Sequence, residues 1–134
     1  MVEEIQKFTK LTFIIHFVIA IIFTILFWMP EFTSSIYQMT YTVESGAVTM
    51  VLAATFVGLT VSSLCGIFAK EWKQVKIVVI LEIAWLIAGL IAAIINFNVF
   101  GLMIILNLAI FIVLLLLFLL TYLQQEDKMK PLLK

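Results

Sequence analysis

The chain has 134 residues, 65% hydrophobic and 12% charged, where a soluble domain is about 45 to 50% apolar and about 25% charged, so a water-soluble globule is excluded. Eight Lys and Arg balance eight Asp and Glu, which leaves no basic surface for nucleic acid and no acidic tail for a basic partner. One Cys cannot close an internal disulfide, and with a single His it cannot complete a four-ligand zinc site in one chain, so no metal or cofactor is expected.

The first apolar run spans 11–29. The stretch ahead of it holds Glu3 and Glu4, the run is long for a signal peptide, and no small-residue cleavage site follows, so it reads as a retained transmembrane helix. Pro30 closes it, and 30–46 forms the one sizeable loop, rich in Thr, Ser and Tyr. Tyr37, Met39 and Tyr41 in that loop favour extended, interfacial structure and make it a candidate surface for a partner. Further runs cover 47–69, 75–95 and 101–123. Runs of about 19 to 23 residues reach about 28 to 35 Å at 1.5 Å per residue, enough to cross a hydrocarbon core of about 30 Å. The expected fold is all-α: one domain over 1–134, a polytopic bundle of four transmembrane helices with tetraspan topology.

Every basic residue is a Lys near one set of span ends: Lys7 and Lys10, then Lys70, Lys73 and Lys76, then Lys128, Lys130 and Lys134. Lys-rich short loops stay cytoplasmic, which predicts that both termini lie inside, in a cell membrane. Sorted this way, the neutral total separates into +3 inside, −2 outside from Glu31 and Glu44, and −1 within the membrane from Glu82. Trp28 near the outer boundary, with Trp72 and Tyr122 near the inner one, is expected to form the aromatic belt.

Helices in lipid associate where small residues let backbones approach. The second span carries Ala54, Gly58, Ser62 and Gly66 at every fourth position, and the third carries Ala84, Ala88, Gly89, Ala92 and Ala93. Joined by the tight turn 70–74, these two spans are expected to form the packed core, with a homodimer seam as the alternative use of the stripe. The fourth span is almost wholly large and aliphatic and is expected to face lipid, and Asn107 within it to bond to another helix.

Glu82 is the one acid inside a span, where an ionised group is costly and normally has a partner. Glu82 lies six residues beyond Lys76 and His16 six beyond Lys10, so both sit about 9 Å in from the same boundary. Ser62, Ser63 and Cys65 are close to that depth. A buried thiol of this kind is usually inert. A route across the membrane needs polar groups at successive depths, and the outer half offers Thr24, Thr49, Asn107 and the Asn96 rim, so the pair reads as a pocket near the inner face. No HExxH motif or phosphate-binding loop is present, so no enzyme is expected. The favoured reading is a structural or accessory subunit that contacts lipid and another membrane protein or a second copy of itself. The alternative is a small transporter or ion- and proton-handling protein using Glu82 and His16.

Overall fold

The structure, a computed structural model, describes residues 4–99, 103–130, 132 and 133. Its elements are α1 (Lys7–Phe27), α2 (Pro30–Ile36), α3 (Val43–Phe68), α4 (Trp72–Ile95) and α5 (Met103–Gln125). Four of these, all but α2, are long and apolar enough to cross a membrane, and the protein is an all-α polytopic bundle. The spans begin and end within a few residues of the expected limits. Positions 101 and 102, the expected start of the fourth span, lie outside the described residues.

Local chemistry sets the ends. Pro30 starts α2 at its first turn, where the missing N–H costs nothing. That helix stops at Gln38, whose left-handed backbone (φ 55°) lets the Met39 N–H reach the Ser34 carbonyl at 2.9 Å, a Schellman closure. Thr42 caps α3 reciprocally: its Oγ1 accepts from the Ser45 N–H at 3.1 Å and the Ser45 Oγ accepts from the Thr42 N–H at 2.9 Å. Gln74 reaches back to accept from the backbone N–H groups of Lys70 and Glu71. Asp127 (φ 56°) ends α5 as Gln38 ends α2, with the Lys128 N–H on the Leu123 carbonyl at 2.8 Å. At the same Lys-bearing end the Ile5 N–H donates to the Lys70 carbonyl at 3.1 Å, so the chain start is tied to the α3–α4 turn.

The packing differs from the expected one. Helix α1 lies along α3, α4 lies along α5, and α1 also meets α5, whereas α3 and α4 touch at few points. Around the bundle the order is α3, α1, α5, α4, with a gap between the first and last. A short turn brings helix ends together without obliging the helices to pack, and the larger residues decide the matter. The Phe13 ring of α1 lies where a Cβ on Gly66 would stand, 2.5 Å away, and the Phe111 ring of α5 sits likewise over Gly89 at 2.7 Å. These glycines receive aromatic rings from α1 and α5, so the α3 and α4 stripes do not meet. Ala54, Gly58, Ala84, Ala88 and Ala92 are exposed, Ser62 is half-buried and Ala93 is buried.

Three other expectations change. The 30–46 segment contains α2 and the first residues of α3. Within it Tyr37 is buried, leaving Met39 and Tyr41 as its exposed members. Trp72 is fully buried: its Nε1–H donates to Glu126 at 2.7 Å and its ring meets Tyr122 edge-on, so it is a core residue. Half-buried Tyr122 stays near the Lys-bearing surface with Lys76 and Lys128 over its ring, and Trp28 is exposed at the opposite end. Cys65 is exposed, in the groove between α3 and α4 with Val75 and Val78.

The core centres on Phe13, Trp72, Val75, Val79, Leu86, Leu114 and Phe118. One face of α5, at Ile105, Leu106, Ile112, Val113 and Leu116, is exposed, as expected of a lipid-facing helix. The two glycine environments yield a contrast. Gly66→Ala must displace the Phe13 ring and is expected to lower stability by about 1 to 3 kcal/mol, whereas Gly58→Ala, with nothing within 4 Å, leaves it unchanged. Detergent-solubilised melting curves of the two variants measure the difference.

Candidate functional site

His16 of α1 and Glu82 of α4 meet in the interior, Nε2 to Oε2 at 3.6 Å, each only 2% exposed. Helix α3 supplies their other partners. His16 Nδ1 lies 2.6 Å from Ser63 Oγ, and the Ser62 hydroxyl lies 3.2 Å from Glu82 Oε1. Three helices therefore converge on one carboxyl group and one imidazole, and they come from both sides of the α3–α4 gap. Cys65, two residues on, is turned away. The partner assigned to each ring nitrogen sets the tautomer: with the Ser63 hydroxyl donating to Nδ1, the proton sits on Nε2 and faces Glu82. The site is neutral as imidazole with a carboxylic acid or, at the same proton count, as imidazolium with carboxylate, and neutrality is what a low-dielectric interior favours.

Aromatic and aliphatic side chains enclose the pair. Phe118 of α5 stands edge-on to the His16 ring with centroids 5.1 Å apart. One turn beyond Glu82 along α4, Trp85 meets Phe56 of α3 edge-on at 5.5 Å, beside fully buried Leu86.

Towards the Lys-bearing end the surroundings are polar. On α1 Thr12 and Thr9 follow His16 at successive turns, with Gln6 beyond them, and α5 presents Thr121, Gln124 and Gln125 at matching levels; apart from half-buried Gln6, all are buried. The Thr121 hydroxyl donates to Thr12 Oγ1 at 3.0 Å, which in turn donates to the Phe8 carbonyl. The Gln125 amide, oriented by its neighbours, donates to the Glu4 carbonyl at 3.2 Å and accepts from the Gln6 N–H at 3.3 Å. Four buried side-chain atoms along this column have no hydrogen-bond partner among the described residues: Gln6 Oε1, Thr9 Oγ1, Gln124 Nε2 and Glu82 Oε2. Buried polar groups in proteins are otherwise paired, with ordered water as the usual supplement.

This column is what the reading of the sequence missed. A search for ionisable groups passes over Thr and Gln, and the α5 members sit at the end of a run read as lipid-facing. The available signal was their spacing: Thr121, Gln124 and Gln125 lie three and four residues apart, on one helical face, as do Gln6, Thr9, Thr12 and His16.

At the Lys-free end, Asn107 of α5 bonds to Tyr37: its amide donates to the phenol oxygen at 2.7 Å and the phenol donates to Oδ1 at 3.1 Å. Burial pushes the Tyr37 phenol above its ordinary pKa, against the opposing effect of Asn107. At the other end, the Lys76 ammonium, 2.8 Å away, and then the Trp72 indole hold the Glu126 carboxyl below the usual range.

Compared with protein families, characterised proteins and solved structures, the chain matches none. The fold and the site define a class: an integral membrane protein of four spans with a buried carboxyl–imidazole pair at its centre.

The pair's partners predict that single and double replacements differ. Glu82→Leu leaves Ser62 with its bond to the Leu59 carbonyl but takes the acceptor from the buried His16 Nε2 proton, and His16→Leu leaves the carboxyl group with Ser62 alone; each should cost about 1 to 3 kcal/mol. Replacing both residues by leucine should be near neutral, as when buried ion pairs are replaced by apolar groups. Thermal unfolding of the three variants in one detergent is the measurement. A double variant clearly less stable than the parent would mean that the pair serves the fold.

Proposed function

We propose that the protein is a small, non-enzymatic proton- or ion-handling transporter of the cell membrane, with both termini in the cytoplasm, working through Glu82 and His16. The observation that carries this reading is the column of buried hydroxyl and amide groups running from the Lys-bearing end to the pair. Intramembrane acids and histidines mark ion and proton routes more often than they mark packing, and here polar groups occur at successive depths on the Lys-bearing side, the side that the Lys asymmetry favours as cytoplasmic. In this reading a proton travels along Gln6, Gln125, Thr9 and the Thr12–Thr121 pair to His16. When Glu82 is ionised, the incoming proton enters at Nδ1 through the Ser63 hydroxyl, and the Nε2 proton passes to Glu82 Oε2 after sub-ångström closure of their 3.6 Å separation, leaving neutral imidazole beside a carboxylic acid. Leu86, Phe56 and Trp85 bar the other side, and their movement would expose Glu82 to the outer half.

Reconstituted liposomes with an imposed potential and an internal pH dye test it. The parent should take up protons, Glu82→Gln should reduce uptake to the level of empty liposomes, and Thr12→Val with Thr121→Val should slow it by about a hundredfold, the lower end of what positioned proton-transfer groups contribute. Uptake by Glu82→Gln equal to the parent's refutes the proposal.

A second reading, an accessory subunit that binds another membrane protein or a second copy of this chain, is favoured by a different observation: Ala54 and Gly58 form an exposed small-residue face on α3, with open space over Gly58. Such faces allow close approach of transmembrane helices. Native mass spectrometry after mild extraction separates the two. A subunit should appear as a complex that Gly58→Leu disrupts, and recovery only as a lone protomer in every mild detergent counts against this reading.

A further inference from the structure

Beyond the aromatic floor of the buried pair, the Lys-free half of the bundle encloses a cavity of about 750 Å³, within the range of small-molecule sites. Its walls come from all five helices. Phe23, Phe27, Phe56, Trp85 and Phe111 make up its aromatic interior, with Tyr37 towards the rim. Phe23 and Phe56 stack with centroids 5.3 Å apart, while Trp85 presents an edge-on geometry to both Phe56 and Phe111 at 5.5 Å. Val48 and Leu52 of α3 and Ala88 and Ala92 of α4 belong to the lining yet are exposed, so the cavity opens sideways between the two helices that do not pack.

Charge selects among the ligands that could enter. Glu44, at the rim, is the one charged residue among the described residues of the lining and is itself exposed. Glu31 is the other charged residue at this end of the described chain, and every described Lys lies at the opposite end. An anionic head would meet carboxylates and no counter-charge. A cation would meet Glu44 at the mouth, and its apolar body would lie further in among the aromatic side chains. The small side chains of Ala88, Gly89 and Ala92 keep the α4 wall clear for a bulky body.

We infer that this cavity is a binding site for lipophilic organic cations, bodies of apolar or aromatic surface bearing a single positive charge, which enter from the membrane between α3 and α4 with the charge directed to Glu44. The inference holds whether or not Glu82 and His16 carry protons, because it concerns binding in the other half of the bundle.

Equilibrium dialysis of the full chain in dodecyl maltoside against tetraphenylphosphonium tests it, with tetraphenylborate as the probe of the same shape and opposite charge. Saturable binding of the cation and none of the anion is expected. Glu44→Gln should weaken cation binding by about threefold, as loss of an exposed charge partner does. Ala88→Phe, which fills the mouth from an exposed position, should weaken it by about tenfold or more, and both variants should melt with the parent. Equal saturable binding of cation and anion, cation binding unchanged in Ala88→Phe, or no saturable binding at all would each overturn the inference. If Ala88→Phe fails to fold, the comparison of cation with anion and the Glu44→Gln variant decide the outcome.

Discussion

A carboxyl group in the middle of an apolar bundle must have partners, and that requirement organises this protein. Glu82 stands on α4, which packs with α5, yet its partners, His16 of α1 and Ser62 of α3, stand on the opposite helix pair. Since α3 and α4 hardly touch, the polar cluster is a principal tie across the gap, with the Phe13–Phe118 edge contact and the Thr12–Thr121 bond joining α1 to α5 beside it. Apolar surface gives little reason for helices in lipid to choose one neighbour over another. Directional bonds and glycine-to-ring contacts supply the choice.

The same tie divides the bundle into two unlike halves. Towards the Lys-bearing end, α1 and α5 close tightly around Thr and Gln side chains. Towards the other end, α3 and α4 stand apart, and the helices leave an aromatic-walled cavity beneath α2. The Tyr37–Asn107 bond holds α2 onto α5 at the rim of that cavity. A polar column that stops at Glu82 and an apolar cavity that stops at Trp85 thus approach one another from opposite ends, with Leu86, Phe56 and Trp85 between them.

The candidate site was half legible before any fold was known. Glu82 and His16 stand out because each is costly in lipid, and helix rise alone places them at equal depth. Ser62 and Ser63 follow from the same arithmetic. Thr9, Thr12, Thr121, Gln124 and Gln125 did not stand out as a route, because a neutral polar residue in a span is cheap enough to be only an interhelical bond. Their meaning lies in alignment across two helices 109 residues apart at the Thr12–Thr121 contact. Trp72 was misread for a related reason: a Trp near a boundary usually faces the headgroups, and only the position of Glu126 shows that its N–H is satisfied inside.

The sequence by itself determined the number of spans, their approximate limits, the gathering of every described Lys at one end and the equal depth of the buried pair. These properties follow from hydrophobic length, charge position and the constant rise of a helix, all local quantities. Tertiary structure alone decided which helices are neighbours. A small-residue stripe offers close approach without naming a partner, and here Gly66 and Gly89 accept Phe13 and Phe111 while Ala54 and Gly58 stay exposed. The column and the cavity both follow from that choice of neighbours, because each is built from residues that only the packing brings together.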